Sequence, residues 1–160
     1  MFTDIQGVVS ECIAENELTR KLLDAVPADQ YGWRPNPKGR TAADLMWHLI
    51  TSRRWFLEEQ LKLPISDKMK LALAKTPSTT EHMLEALDVV MEEELGHLRG
   101  KDEYWLREDT EFFGRNTTLG GLVYAMIKHE AHHRGQLSAY LRAMGARVPG
   151  VYGESADETE

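Results

Sequence analysis

Five consecutive residues, His129-Glu130-Ala131-His132-His133, and a histidine far upstream, His48, have the types and spacing to do chemistry in this 160-residue chain. His129 and His133 stand four apart. On a helix that separation places one side chain above the other, so two imidazoles can reach a common point. From Leu119 onward, Leu119, Leu122, Met126, His129, His133, Gln136, Tyr140 and Met144 advance by alternating threes and fours, the rhythm of a helix face turned toward a core. Leu45, His48, Ser52 and Trp55 keep the same rhythm, so His48 is expected to point inward as well. Inward imidazoles cost free energy unless their nitrogens find partners, and three could hardly satisfy one another. A divalent cation would satisfy all three. Zinc or nickel is the first expectation, with iron or copper also compatible with imidazole ligands. Three protein ligands leave room for water or substrate, which is the mark of a catalytic rather than a structural site.

Such a metal could lower the pKa of bound water, polarise a carbonyl or hold a thiolate. Two carboxylates are candidate proton-transfer groups. Glu130 is nearest in sequence but is turned about 100° from His129 on a 3.6-residue helix, toward a neighbouring helix. Glu94, with Asn16, falls on an inward stripe suited to orienting a ligand's second nitrogen or a bound water. The string also satisfies H-E-x-x-H, the zinc-protease pattern. That match is weak here, because no histidine follows His133 to supply a downstream third ligand. His132 stands beside the seam, and His82 and His97 read as surface or helix-end residues.

These side chains need four long amphipathic helices to hold them. The first is predicted from about Thr3 to Val26, with Phe2, Ile5, Val9, Cys12, Asn16, Thr19, Leu23 and Val26 on one face. Tyr31 to Arg40 reads as an ordered loop rich in turn formers. The second helix begins at Thr41, whose hydroxyl and Asp44 form a variant of the capping box, and runs to about Leu61. A short helix is possible over Asp67 to Lys75. The third long helix starts after the Pro77–Glu81 cap and ends near Gly100, with Met83, Leu87, Val90 and Glu94 inward. Lys101 to Asn116 is expected as a connection whose aromatics, Tyr104, Trp105, Phe112 and Phe113, cover a bundle end. The fourth helix runs from Thr117 or Thr118 to Gly145, a left-handed C-cap. With no convincing strand, the fold class is all-α, a four-helix bundle whose long connections permit crossovers. The bundle domain spans 1–146, and 147–160 form a flexible, acidic C-terminal segment.

Composition narrows the function. The length suits one domain, and no apolar run is long enough to span a bilayer. The start of the chain lacks the pattern of a secretory signal, so a cytoplasmic location is expected. The single cysteine, Cys12, cannot form an internal disulfide; packing is its expected role, with a thiol near the metal as the alternative. Formal net charge is −7, and Glu154, Asp157, Glu158 and Glu160 in the tail leave −3 for the remainder. Without clustered positive charge, nucleic-acid binding is not expected. Mid-helix Gly135 suggests close approach by another helix, with Arg134 pairing across it or holding an anionic group. Trp47 and Trp55 could line a pocket or a dimer face.

Leu45-Met46-Trp47-His48-Leu49-Ile50, the segment His129 to Gln136, and the Arg34-Pro35 turn together resemble the DinB-like family. The likeness runs from the first helix through Gly145, and H-x-x-H-H-R-G-Q is its most specific part. It implies a four-helix bundle with crossover connections, often a homodimer, holding a divalent metal on His48, His129 and His133. It also implies a small-molecule partner. Some relatives look like thiol-dependent transferases or isomerases, and others like metal-dependent hydrolases. The leading expectation is therefore a metal-dependent enzyme that activates a low-molecular-weight thiol for transfer. Hydrolysis by metal-bound water, assisted by Glu130 or Glu94, is the alternative within enzymes, and a non-catalytic metal-binding dimer is the alternative outside them. The DNA-damage label attached to the family name describes regulation and not DNA binding.

Overall fold

The computed structural model describes residues 4–158. Phe2 and Thr3, assigned above to the first helix, and Glu160 of the acidic tail lie outside them. Four long helices form the body: α1 (Ile5–Asp24), α2 (Ala42–Trp55), α4 (Thr80–Arg99) and α6 (Leu119–Met144). Two short ones, α3 (Asp67–Ala72) and α5 (Glu103–Arg107), lie in the connections. No described helix is long and apolar enough to cross a membrane.

Each long helix begins where a side chain caps a free backbone N–H, the local signal that sets its register. Asp4 accepts from Gly7 N at 2.7 Å, Thr79 from His82 N at 3.3 Å, and Thr118 from Gly121 N at 3.1 Å. Thr41 and Asp44 form the expected reciprocal box, Asp44 N donating to Thr41 Oγ1 at 3.1 Å and Thr41 N to Asp44 Oδ2 at 3.3 Å. At the far end of α6, Gly145 adopts φ +72°, the left-handed cap that favours glycine. The α2 rod runs on beyond Trp55 as a π-helical turn, Phe56–Gln60, in which Leu61 N reaches back five residues to Phe56 O at 2.8 Å.

The core follows the marked faces only in part: on α2 and α6 it shifts onto Met46, Leu49, Ile50, Leu137 and Leu141, while Trp55 and Gln136 of the marked stripes are exposed. Ile5, Val9, Cys12, Leu22 and Leu23 of α1, Leu45, Met46, Leu49 and Ile50 of α2, Met83, Leu87 and Val90 of α4, and Leu122, Met126, Leu137 and Leu141 of α6 are all buried. Around the bundle the order is α1, α4, α2, α6, so α1 and α2, consecutive in the chain, stand on opposite corners. Crossing connections follow directly. Helices α2 and α6 run antiparallel, because successive α2-side partners Arg40, His48 and Arg53 meet Tyr140, His133 and Glu130 in descending order.

Two expectations are corrected. The connection after α4 contains a β-hairpin, β1 (Asp109–Phe112) paired antiparallel with β2 (Arg115–Thr118). Its strands are almost wholly polar, so no alternation of apolar residues announced them. Phe113 at φ +49° and Gly114 at φ +73° form its tip, two positive angles in the manner of a type I′ turn. Gly135 is the second correction: nothing approaches the position where its Cβ would stand, and it faces solvent. The close approach is at Gly120, where a Cβ would lie 2.9 Å from Leu106 O of α5. In the described part of the C-terminal segment, Tyr152 donates to Glu15 Oε2 at 2.8 Å, and Asp157 accepts from Val148 N at 2.7 Å and from Arg142 at 2.9 Å.

Candidate metal centre

Helix α6 stacks His129 one turn before His133, and α2 brings His48 across from them. His48 Nε2 lies 3.0 Å from His133 Nε2, and His133 Nε2 lies 3.2 Å from His129 Nε2. The three ligand atoms fall within 4.8 Å of one another, and this is the only such group of three or more His, Cys, Asp or Glu among the described residues. Two nitrogens bound to a tetrahedral zinc at ~2.0–2.1 Å stand about 3.3 Å apart. Two of the three separations are therefore close to what a shared ion requires.

The protonation pattern points the same way. His133 Nδ1 meets Gln136 Oε1 at 2.7 Å. An amide oxygen only accepts, so the ring proton sits on Nδ1 and Nε2 turns its lone pair toward the other two imidazoles. The Gln136 amide donates in turn to His132 Nε2 at 3.1 Å. That single lone pair of His133 can accept from His48 or from His129, not from both, so the trio cannot satisfy itself by hydrogen bonding. A cation removes the conflict.

Electrostatics keep the ligands neutral. Burial first, then the charges of Arg40, His133 and His129, pushes the pKa of His48 down to about 4. His129 is also pushed down to about 4, by burial and then by His133, His132 and Arg40. His133 is lowered chiefly by burial, with the Gln136 bond working against the shift. Every charge acting on these rings is positive. Aromatic side chains wall one side: the Phe56 ring meets His129 edge-on at 5.7 Å, Phe112 lies 6.0 Å from Phe56, and Trp55 stacks on the exposed Phe113 at 6.3 Å.

The two carboxylates named from the sequence lie elsewhere. Glu130 is 2 % exposed and turned away from His129: both its oxygens accept from Arg53 Nη2, at 2.5 and 2.7 Å, and Oε1 also accepts from Thr19 at 2.5 Å. Glu94, fully buried, accepts from Arg53 Nη1 at 2.7 Å. Arg134 is buried beside them, ion-paired with Glu15 and donating to Glu15 O at 2.6 Å. Asn16 is buried and its Oδ1 makes no hydrogen bond among the described residues. Cys12 is buried next to this cluster, where burial and the charge of Glu94 raise its pKa and hold it as a thiol. His82 is exposed, and His97 donates to Pro64 O at 2.8 Å, both remote from the histidine trio. A groove of about 500 Å³ beside Pro64, Val89 and His97 shares no residue with the trio.

Arg40 and Gln136 act on the histidines, and Arg53 on the two carboxylates, though none of them was named as a site residue from the sequence. Gln136 did carry a signal, since it lies on the same stripe three residues after His133. Arg53, flanked by Thr51, Ser52 and Arg54, carried no such signal, and neither did Arg40.

The chain belongs to the DinB family, whose model matches residues 1–160. It is 30% identical over 147 residues to YjoA of Bacillus subtilis (strain 168), covering 86% of this chain and 89% of that one. YrdA of the same organism is 23% identical over 165 residues, covering 99% and 93%. Among solved structures, a DinB-like protein from Bacillus cereus ATCC 10987 superposes with a TM-score of 0.82 at 25% identity, over 95% of this chain and all of that one. The YjoA crystal structure gives 0.69 at 24%, over 92% and 98%.

Proposed function

We propose that this protein binds one divalent ion, zinc or nickel first, on His48, His129 and His133, and activates a low-molecular-weight thiol for transfer to an electrophile. One observation carries the reading: three imidazole nitrogens converge within 4.8 Å of one another, His133 lying 3.0 and 3.2 Å from the other two, with no fourth His, Cys, Asp or Glu in the group among the described residues. A site with three protein ligands keeps a position for an exogenous one. A divalent ion bound there would lower the pKa of a coordinated thiol and supply thiolate at neutral pH. The chain's own residues prepare the rest. Gln136 holds the His133 proton on Nδ1, and the positive surroundings that depress the imidazole pKa values also favour an anionic ligand. In the transfer, the sulfur forms a new bond to the electrophilic carbon, the leaving group departs with its electron pair, and the thiol proton goes to solvent.

Hydrolysis assisted by Glu130 or Glu94 is the weaker reading, because neither carboxylate belongs to the histidine group. Glu130 and Glu94 are buried and accept from Arg53, which turns them away from the histidine trio. In our reading they hold the bundle together beneath the site.

The test uses zinc-loaded protein with cysteine or glutathione and 1-chloro-2,4-dinitrobenzene, beside p-nitrophenyl acetate without thiol. Thiol-dependent turnover that disappears in His129→Ala supports transfer. Ester cleavage that needs metal but no thiol would replace it with hydrolysis, and turnover of neither by a zinc-loaded protein would leave a binding protein.

A further inference from the structure

Directly beneath the three histidines, buried charges join all four long helices. Arg53 of α2 donates through Nη1 to Glu94 of α4 and through Nη2 to Glu130 of α6, and Thr19 of α1 donates to the same Glu130. Arg53, Glu94 and Glu130 are 2 %, 0 % and 2 % exposed. Buried ion pairs are poor sources of stability, because their attraction does little more than offset desolvation. What they supply is direction. The surrounding packing of Leu49, Ile50, Leu122 and Met126 is non-directional and tolerates rearrangement. A guanidinium that meets both oxygens of one carboxylate does not.

Their position gives that direction a use. Arg53 follows His48 by five residues on α2, while Glu130 lies between His129 and His133 on α6. Sliding α6 by one turn moves it about 5.4 Å, which takes at least one of His129 and His133 out of reach of His48 and breaks the three-way convergence. The same slide would carry the buried Glu130 carboxylate away from Arg53, while the Arg53–Glu94 pair between α2 and α4 stayed in place.

We propose that the Arg53–Glu130 pair, braced by Glu94 and Thr19, is the register lock that sets α2 against α6 so that His48 meets His129 and His133. Arg53 and Glu130 are positioning residues that touch neither substrate nor metal. The consequence for metal affinity rests on the three-histidine reading; the consequence for helix register does not.

The test compares the parent with Arg53→Met/Glu94→Gln/Glu130→Gln, a triple variant that keeps side-chain volume and leaves no charge stranded. Both are examined metal-free by circular dichroism and by nuclear Overhauser effects between the rings of His48 and His133, whose centroids lie 4.4 Å apart. The expected result is parent-like helix content in the triple variant, with the His48–His133 Overhauser signal abolished or replaced by signals to other rings. Zinc affinity should fall at least tenfold, and the visible spectrum of the cobalt-substituted protein should change. A triple variant that keeps the inter-ring signal at parent strength refutes the lock. So does one that fails to fold, since the charges would then determine the fold and not the register. A parent that shows the inter-ring signal but binds no zinc would remove the metal reading and leave the register result standing.

Discussion

Replacing Gln136 by leucine removes the one protein group that fixes the His133 tautomer and leaves all three nitrogen ligands in place. The bond at stake is 2.7 Å from His133 Nδ1 to Gln136 Oε1. A neutral hydrogen bond contributes about 1 kcal/mol net, which corresponds to roughly fivefold in affinity, and partners of metal-bound histidines typically account for about 10–100-fold. Gln136 is exposed, and water can take its place at Nδ1, so the lower end applies: zinc affinity should fall about five- to tenfold in Gln136→Leu. Gln136→Glu should move the other way or stay level, because a carboxylate accepts the Nδ1 proton more strongly and raises the basicity of Nε2. Competition against a chromophoric chelator at neutral pH measures both, with circular dichroism confirming that each variant folds. Equal affinity in parent, leucine and glutamate variants, or tighter binding by the leucine variant, would refute the reasoning that the Gln136 bond at Nδ1 tunes His133 as a ligand.

Acid should release the metal late. His48 and His129 stay neutral in the metal-free fold until pH falls toward about 4, so zinc binding should weaken mainly below about pH 5, whereas three ordinary imidazoles would begin to lose it near 6.5; a zinc titration midpoint near 6.5 would contradict the depressed values. The metal-free fold obeys the same sign: its unfolded chain binds more protons between about 6.5 and 4, so stability declines as pH falls through that window and levels off beneath it. Arg53→Ala strands Glu94 and Glu130 in the core and should cost about 3–5 kcal/mol, on the order of a 10 °C fall in melting temperature; a fall of a degree or two would mean the carboxylates are not buried as charged groups. Phe113→Asn replaces an 80 % exposed side chain at φ +49° with a residue that tolerates that angle, and should raise stability by about 0.5 kcal/mol unless the Trp55 stack offsets it; a large loss on thermal melting would show that the stack dominates.

The histidine site was legible because metal ligation and helical periodicity make the same demand on spacing: i and i+4 on one stripe, and an inward residue on another. The helix limits were legible through Thr41, Thr79, Thr118 and Gly145, whose caps act locally. What escaped depends on partners distant in sequence. Glu130 was legible as turned toward a neighbouring helix, but its partner there, Arg53, lies 77 residues earlier. Gly120 and Gly135 look alike as helical glycines, and only the position of α5 shows which one is crowded. The hairpin escaped because Asp109 to Thr118 carries its hydrogen bonds in the backbone and almost no apolar alternation in its side chains.

Whether His48, His129 and His133 together hold one metal ion is tested most directly by elemental analysis. Mass spectrometry is applied to untagged protein purified without chelator or metal column, beside His48→Ala, His129→Ala and His133→Ala. The expected result is about one equivalent of zinc or nickel in the parent and its loss from each variant, with affinity lowered on the order of a hundredfold or more per ligand removed. A parent without metal that takes up none from added divalent ions, or a full equivalent retained by all three variants, would contradict a three-histidine centre.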